Sequence, residues 1–157
     1  EELAAVSDIF CLAEPSGIGA PYFRKDLGLQ FSASVAHLSQ REIACLLLEA
    51  VIFRVVRIIE DFHRDAPVRR VYLSGGLSEL NCLQQGIALC LASDNPACRV
   101  FRLQQKDASL QGAAMLAAGM KQAQPQEAVQ ILVTGSNRAL PEKYLRWKHW
   151  LDSLLSG

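Results

Sequence analysis

Apolar and polar positions between residues 39 and 122 alternate in a way that predicts a helix followed by two strand–helix pairs. The strongest signal runs from Ser39 to about His63, where apolar residues recur at three- and four-residue steps and also line much of the opposite face. Ser39 followed three residues later by Glu42 is the pattern of a capping box, which marks the start of this helix. A helix that is apolar nearly all round is normally buried between layers.

Further elements follow from shorter patterns. Residues 68–73 and 98–103 are rich in β-formers and predict strands, whereas 78–92 and 109–122 have helical spacing, with a face of small residues in the second segment. Weaker patterns predict short strands at 8–13 and 29–33, and residues 129–133 are apolar but isolated. A last helix at 140–155 carries an aromatic stripe expected to dock it on the domain. The order of elements is typical of an α/β fold with parallel strands.

Composition narrows the class of protein. The 157 residues are sufficient for one domain with a single core, so we expect one domain over 1–157, with 1–7 disordered or a linker. Glu1 in place of Met indicates a fragment or a processed product. A formal net charge of zero gives no field that favours nucleic acid, and the apolar runs are too short to span a membrane. No signal peptide is recognisable, which favours the cytoplasm.

Candidate chemistry is sparse outside one turn. The five cysteines show no paired Cys-x-x-Cys spacing, and the three histidines show no metal-binding spacing. We therefore expect buried free thiols and assign no metal ligand. The arginines at 54, 57, 64, 69 and 70 are expected to form a solvated basic face.

The informative turn follows the strand at 71–73. Ser74 is followed by Gly75 and Gly76, and a helix is predicted from about Ser78. Paired glycines leave bare backbone against which a ligand can lie, and the next helix would direct unpaired amides toward it. In an open α/β sheet, ligands bind at this carboxyl edge. The alternative is a tight turn that binds nothing.

Three segments in order resemble the C-terminal domain of the FGGY carbohydrate kinases, most of all the glycerol kinase branch. The matching segments are 17–23 (Gly-Ile-Gly-Ala-Pro-Tyr-Phe), 71–76 (Val-Tyr-Leu-Ser-Gly-Gly) and 110–117 (Leu-Gln-Gly-Ala-Ala-Met-Leu-Ala). The ending Tyr-Leu-Arg-Trp-Lys at 144–148 is also similar to the close of that family. The resemblance covers roughly residues 8–150.

This resemblance implies an actin-like ATPase domain with a ribonuclease-H-like core. Family members phosphorylate a sugar or polyol hydroxyl with ATP and Mg²⁺ in a cleft between two such domains. Gly75 and Gly76 would lie beside the adenosine. Asn81 falls at the second of a pair of asparagines that lie near adenine, or is a solvated helix residue, and Leu80 departs from the first. Gly112 would give room beside the ribose, or merely for helix packing, which we favour.

Other departures and absences limit what the resemblance implies. Ala36, His37 and Leu46 replace residues of a second family signature, although Glu49 matches its acidic end. The family's catalytic aspartate and its Asp-x-Gly-Thr phosphate loop belong to the N-terminal half, and no Asp-x-Gly-Thr occurs here. We therefore assign no catalytic residue, expect Mg²⁺ to be bound mainly through that absent half, and expect the isolated chain to be inactive.

Two alternatives stay open at this stage. One is a degenerate kinase-like domain that serves as an interaction or assembly module, and the other is a small Rossmann-like nucleotide binder, disfavoured because no Gly-x-Gly-x-x-Gly follows a strand. The absent segment would also supply two strands of the sheet. We therefore expect a truncated sheet whose edge is covered by a neighbouring chain, as in a homo-oligomer, or by a rearranged strand.

Overall fold

The computed structural model describes residues 3–104, 107–120, 127–134 and 138–157. These residues form five strands, four α-helices and one short 3₁₀ turn at Gly76–Glu79. In chain order the strands and α-helices are β1 (Cys11–Leu12), β2 (Gln30–Phe31), α1 (Gln40–Asp65), β3 (Arg70–Leu73), α2 (Asn81–Asp94), β4 (Arg99–Leu103), α3 (Ala108–Ala117), β5 (Ala128–Gln130) and α4 (Ala139–Ser156). The predicted α/β class is confirmed.

Helix α1 is the central element. Its predicted capping box is present, since Ser39 Oγ accepts from the Glu42 amide at 3.3 Å and the Glu42 carboxylate accepts from the Ser39 amide at 2.8 Å. One side of the helix packs Leu46 against β1, whereas Ile52 and other side chains enter the main core with α2 and α4. The prediction of a helix buried between layers is therefore confirmed.

The strands form two separate sheets. β1 and β2 are antiparallel, with Cys11 opposite Phe31. β3 and β4 are parallel, with Val71 opposite Val100, and β5 adds to β4 in the antiparallel direction. Among the described residues, β3 pairs with β4 alone, so its other edge has no partner strand, and the covering of that edge by a neighbouring chain or a rearranged strand stays a prediction. The strand β5 overlaps the start of the isolated apolar stretch at 129–133, whose own pattern predicts no element.

The terminal helix α4 is docked by its aromatic residues, as predicted. Trp147 is completely buried, and its Nε1 donates to the Cys11 carbonyl at 2.9 Å. The Phe53 ring of α1 lies 5.5 Å from the Tyr144 ring and 5.6 Å from the Trp147 ring, measured between centroids. Burial of these rings supplies much of the apolar contact that holds α4 on the core.

Buried charges join α4 to α1 and to the start of the chain. Lys143 is completely buried, and its Nζ lies 2.5 Å from the Glu49 carboxylate and donates to the Val6 carbonyl. The other Glu49 oxygen accepts from the Ala4 amide at 2.6 Å. Residues 3–7, for which we expected a disordered segment or a linker, are thus held against the core, and residues 1–2 lie outside the described residues.

The expected solvated arginine face is wrong for its first two members. Arg54 and Arg57 are 8% and 7% exposed. Arg54 Nε lies 2.5 Å from the Glu14 carboxylate, and Arg57 lies 2.9 Å from the Asp152 carboxylate and 3.3 Å from that of Asp61. Both guanidinium groups are buried because a distant loop and α4 bring carboxylates to them.

The cysteines are free thiols, and Cys11, Cys90 and Cys98 are buried as expected, but Cys82 is exposed. Burial, with a smaller contribution from nearby carboxylates, raises the pKa of Cys11 to about 11 and that of Cys90 to about 12. None of the helices in the described parts of the chain combines the length and the apolar character that a membrane span requires.

Candidate functional site

The glycine turn begins directly after β3, where the backbone changes direction. Gly75 has φ 91° and ψ 173°, a conformation that residues with a Cβ rarely adopt, so this position requires glycine. The helix predicted from Ser78 begins later, because a 3₁₀ turn occupies Gly76–Glu79 before α2 starts at Asn81. The turn therefore projects as a separate short segment between strand and helix.

Among the described residues, nothing requires glycine at position 76. Its φ lies outside the left-handed region, and a Cβ built on it would meet no atom within 4 Å. Two other glycines have close neighbours instead: a Cβ at Gly86 would lie 2.6 Å from Ile52 Cδ1, and one at Gly17 would lie 2.7 Å from Lys25 Cα. The bare backbone of Gly76 is thus open to the outside of the molecule.

Asn81 is the first residue of α2 and is exposed, so its amide group is available beside the turn. The residue before it, Leu80, occupies the N-cap position and provides no side-chain hydrogen bond to the helix. Leu80 is 40% exposed. The structure therefore brings Gly75, Gly76 and Asn81 together at one end of the sheet, next to exposed apolar side chains.

Gly112 lies in α3, which follows the end of β4. Because β3 and β4 are parallel, the glycine turn and the segment leading to α3 leave the sheet at the same edge. The favoured interpretation of Gly112 as a packing residue has no support among the described residues, since a Cβ there would meet nothing within 4 Å and no residue of α3 is buried. The small-residue face of α3 does not contact the sheet closely.

The segment at 17–23 is a structural element of this domain. The Tyr22 hydroxyl donates to Asp61 at 2.8 Å and accepts from Arg57 Nε at 2.8 Å, and Arg54 donates to the Ala20 carbonyl at 2.6 Å. Burial, followed by the hydrogen bond to Asp61, raises the pKa of Tyr22. These contacts fasten the loop to α1, and residue spacing along the chain could not predict them.

The departures from the second signature have different structural outcomes. Leu46 is buried in the cluster that packs α1 on β1, so its larger side chain fills the core. Ala36 and His37 are exposed in the connection that precedes α1. Glu49 is committed to Lys143 and to the Ala4 amide, which is a structural role in this chain.

The fit of the described residues to the implied nucleotide and metal is unequal. The open backbone at Gly76 is a surface that a planar ring can approach without meeting a Cβ. Among the described residues, no group of three or more His, Cys, Asp or Glu side chains is arranged to hold a metal ion. The described residues thus offer an exposed backbone surface at the glycine turn and no arranged set of metal ligands.

Solved structures of other proteins define the fold class of this chain. The structure superposes on a ligand-bound xylulose kinase from Lactobacillus acidophilus with a TM-score of 0.69 and 15% identity, over 94% of this chain and 31% of that chain. A Plasmodium falciparum glycerol kinase with ADP gives a TM-score of 0.63 and 14% identity, over 94% and 31%. The chain thus has the actin-like ATPase fold of the sugar kinases.

The family follows from the sequence comparison. Residues 2–120 match the model of the C-terminal domain of the FGGY family of carbohydrate kinases. A glycerol kinase from Trichormus variabilis is 29% identical over 107 residues, which are 67% of this chain and 20% of that protein. The chain belongs to the FGGY family of carbohydrate kinases. Its match spans about a fifth of the length of that relative.

Proposed function

We propose that this chain is the ATP-binding part of a carbohydrate kinase that phosphorylates a sugar or polyol hydroxyl when joined to an N-terminal half. The Gly75–Gly76 turn forms one wall of the adenosine pocket, and Asn81 lies beside it. The observation that carries the proposal is the open backbone of Gly76, a glycine that neither its φ nor its neighbours in the chain require.

The proposed division of chemistry follows from the side chains present. Bare peptide at Gly76 lets an aromatic base approach to van der Waals contact, and the Asn81 amide offers both a donor and an acceptor to its edge. Bound ATP supplies the phosphoryl group. The base that receives the hydroxyl proton and most of the Mg²⁺ ligands belong to the N-terminal half, so this chain binds and orients the nucleotide.

The comparisons support nucleotide binding by this fold. The glycerol kinase from Plasmodium falciparum is described with ADP, and its fold matches over 94% of this chain. The shared carboxyl edge of β3 and β4 is also where open α/β sheets place ligands. A sequence upstream of Glu1 with an Asp-x-Gly-Thr segment and an intact aspartate would favour a working kinase.

The proposal is tested by titrating the isotope-labelled chain with ADP and recording backbone amide shifts. We expect the amides of Gly75, Gly76 and Asn81 to shift progressively, with an affinity near the millimolar range because the phosphate contacts lie in the other half. Substitution Gly76→Val should abolish these shifts without changing the thermal midpoint, since a Cβ at this position meets no atom within 4 Å.

The matched control is Gly19→Val, because a Cβ at Gly19 also meets nothing within 4 Å but the residue lies in the loop that packs on α1. This variant should bind ADP as the unsubstituted chain does. Shifts at the glycine turn that are no larger than those elsewhere in the chain at about 10 mM ADP, ten times the expected dissociation constant, would contradict the proposal.

A second candidate, a non-catalytic interaction module, is favoured by exposed apolar side chains in the glycine turn and in α3. Leu77 is 57% exposed, Leu110 71% and Leu116 81%, and the outer edge of β3 has no partner strand among the described residues. Such a module would self-associate or bind a protein through this surface. Sedimentation of the chain separates the candidates: a stable homo-oligomer that does not respond to ADP favours the module.

A further inference from the structure

The turn that carries Gly75 and Gly76 contains one buried polar side chain. Ser78 is 5% exposed, although Gly76 before it is exposed and Leu77 is 57% exposed. Its hydroxyl donates to the Gly75 carbonyl at 2.7 Å, and its amide donates to the same carbonyl at 3.1 Å. A buried hydroxyl is stable only when it is paired, and here its partner is the glycine turn itself.

A second bond ties the turn to α2. The Gln84 side chain lies in the first turn of that helix, and its Nε2 donates to the Ser78 carbonyl at 2.7 Å. Ser78 therefore joins two hydrogen bonds into one path, because its hydroxyl donates to the Gly75 carbonyl and its own main-chain carbonyl accepts from the Gln84 side chain. This path runs from the turn into a helix whose Leu83 and Ile87 are packed in the main core.

Paired glycines need such support if their backbone is to form a wall. Glycine reaches more backbone conformations than any other residue, so a Gly-Gly segment without restraints would populate many of them. A ligand that binds one conformation loses affinity in proportion to the fraction of molecules in the others. The Ser78 hydroxyl bonds directly to the Gly75 carbonyl, and the Gln84 side chain bonds to Ser78, so both bonds lie where such support is needed.

We propose that Ser78 and Gln84 are positioning residues that hold the Gly75–Gly76 turn in the conformation that accepts the nucleotide. This inference rests on the proposed function, and neither side chain is assigned a contact with the ligand. Each residue acts through the turn backbone: Ser78 fixes the Gly75 carbonyl, and Gln84 fixes Ser78.

The test uses hydrogen exchange and ADP titration on the same variants. The Ser78→Ala and Gln84→Met substitutions each remove one bond, and we expect the amides of Ser78 and Leu80, which bond to Gly75 and Leu77, to exchange faster. ADP affinity should fall about fivefold to tenfold, the effect of one hydrogen bond. Ser78→Thr, which keeps the hydroxyl, should restore slow exchange and affinity.

Gln85→Met is the matched control, because Gln85 is the next residue of α2 and bonds at 3.0 Å to the Leu132 carbonyl and at 3.1 Å to the Thr134 amide, on a different segment. It should change neither the exchange at the turn nor ADP affinity. Unchanged amide exchange in Ser78→Ala would overturn the claim that the Ser78 hydroxyl restrains the turn. Faster exchange with unchanged ADP affinity would overturn the claim that Ser78 positions the turn for the nucleotide. Failure of the unsubstituted chain to bind ADP overturns the proposed function instead.

Discussion

Replacing Lys143 by Met should destabilise the domain more than any substitution of a surface cation. Lys143 and Glu49 have side chains 1% and 3% exposed, and their charged groups lie 2.5 Å apart. Methionine has a similar volume, so the main change is electrostatic. It leaves the Glu49 carboxylate buried without the ammonium group, while the Ala4 amide still donates to it.

The expected loss is about 3–5 kcal/mol of unfolding free energy, the usual cost of removing one partner from a buried ion pair. Domains of this kind have about 5–15 kcal/mol in total, so the loss is a large share. Urea denaturation at neutral pH measures it. With a slope of roughly 2 kcal/mol per molar, the midpoint should fall by about 2 M.

Two control variants test whether the loss of stability comes from the unpaired buried charge. The double variant Glu49→Gln with Lys143→Met should recover most of the loss, since the Gln carbonyl still accepts from the Ala4 amide and no unpaired charge is buried. Arg64→Met removes a cation whose side chain is 62% exposed and should cost at most about 1 kcal/mol. A double variant no more stable than the single one would refute the electrostatic explanation.

In Gly86→Ala the clash with Ile52 should cost about 1–3 kcal/mol of stability, of which the better helix propensity of alanine recovers roughly 1 kcal/mol. Gly112→Ala has no such clash and should gain roughly 1 kcal/mol. Thermal unfolding of both variants measures these changes. Stability should also fall as pH rises above about 9, because unfolded thiols ionise there while Cys90 keeps its proton until about pH 12; the reverse trend would contradict its burial. Alkylation near pH 8 should modify Cys82 and spare Cys90, as mass spectrometry can show.

Local signals predicted the long helix and the parallel strand pair. The capping box of α1 involves residues three apart, and the strand β3 is followed at once by its glycines. The strand β5 was missed because its three residues are held by pairing with β4, about 25 residues earlier, and not by their own pattern. Likewise, the arginines of α1 bind carboxylates up to 95 positions away, which helical spacing does not reveal.

The candidate site was predicted in outline because its residues, like those of the capping box, are close together in the sequence. Paired glycines after a strand are visible in the sequence, so Gly75 and Gly76 were identified without coordinates. The start of α2 was placed too early because the hydrogen bonds of Ser78 favour a 3₁₀ turn before the helix. Only the structure distinguishes Gly75, which its own φ explains, from Gly76, where a Cβ would meet no atom within 4 Å in the described part of the chain.

The position of α4 determines where an expressed fragment of this domain can end. The family match ends at residue 120, yet Trp147 and Leu151 beyond it are completely buried in the main core. A protein shortened at that limit would open the interior over Phe53 and leave Glu49 without its ammonium partner. The smallest fragment that keeps this interior closed therefore extends through α4, well past the border that sequence similarity alone would suggest.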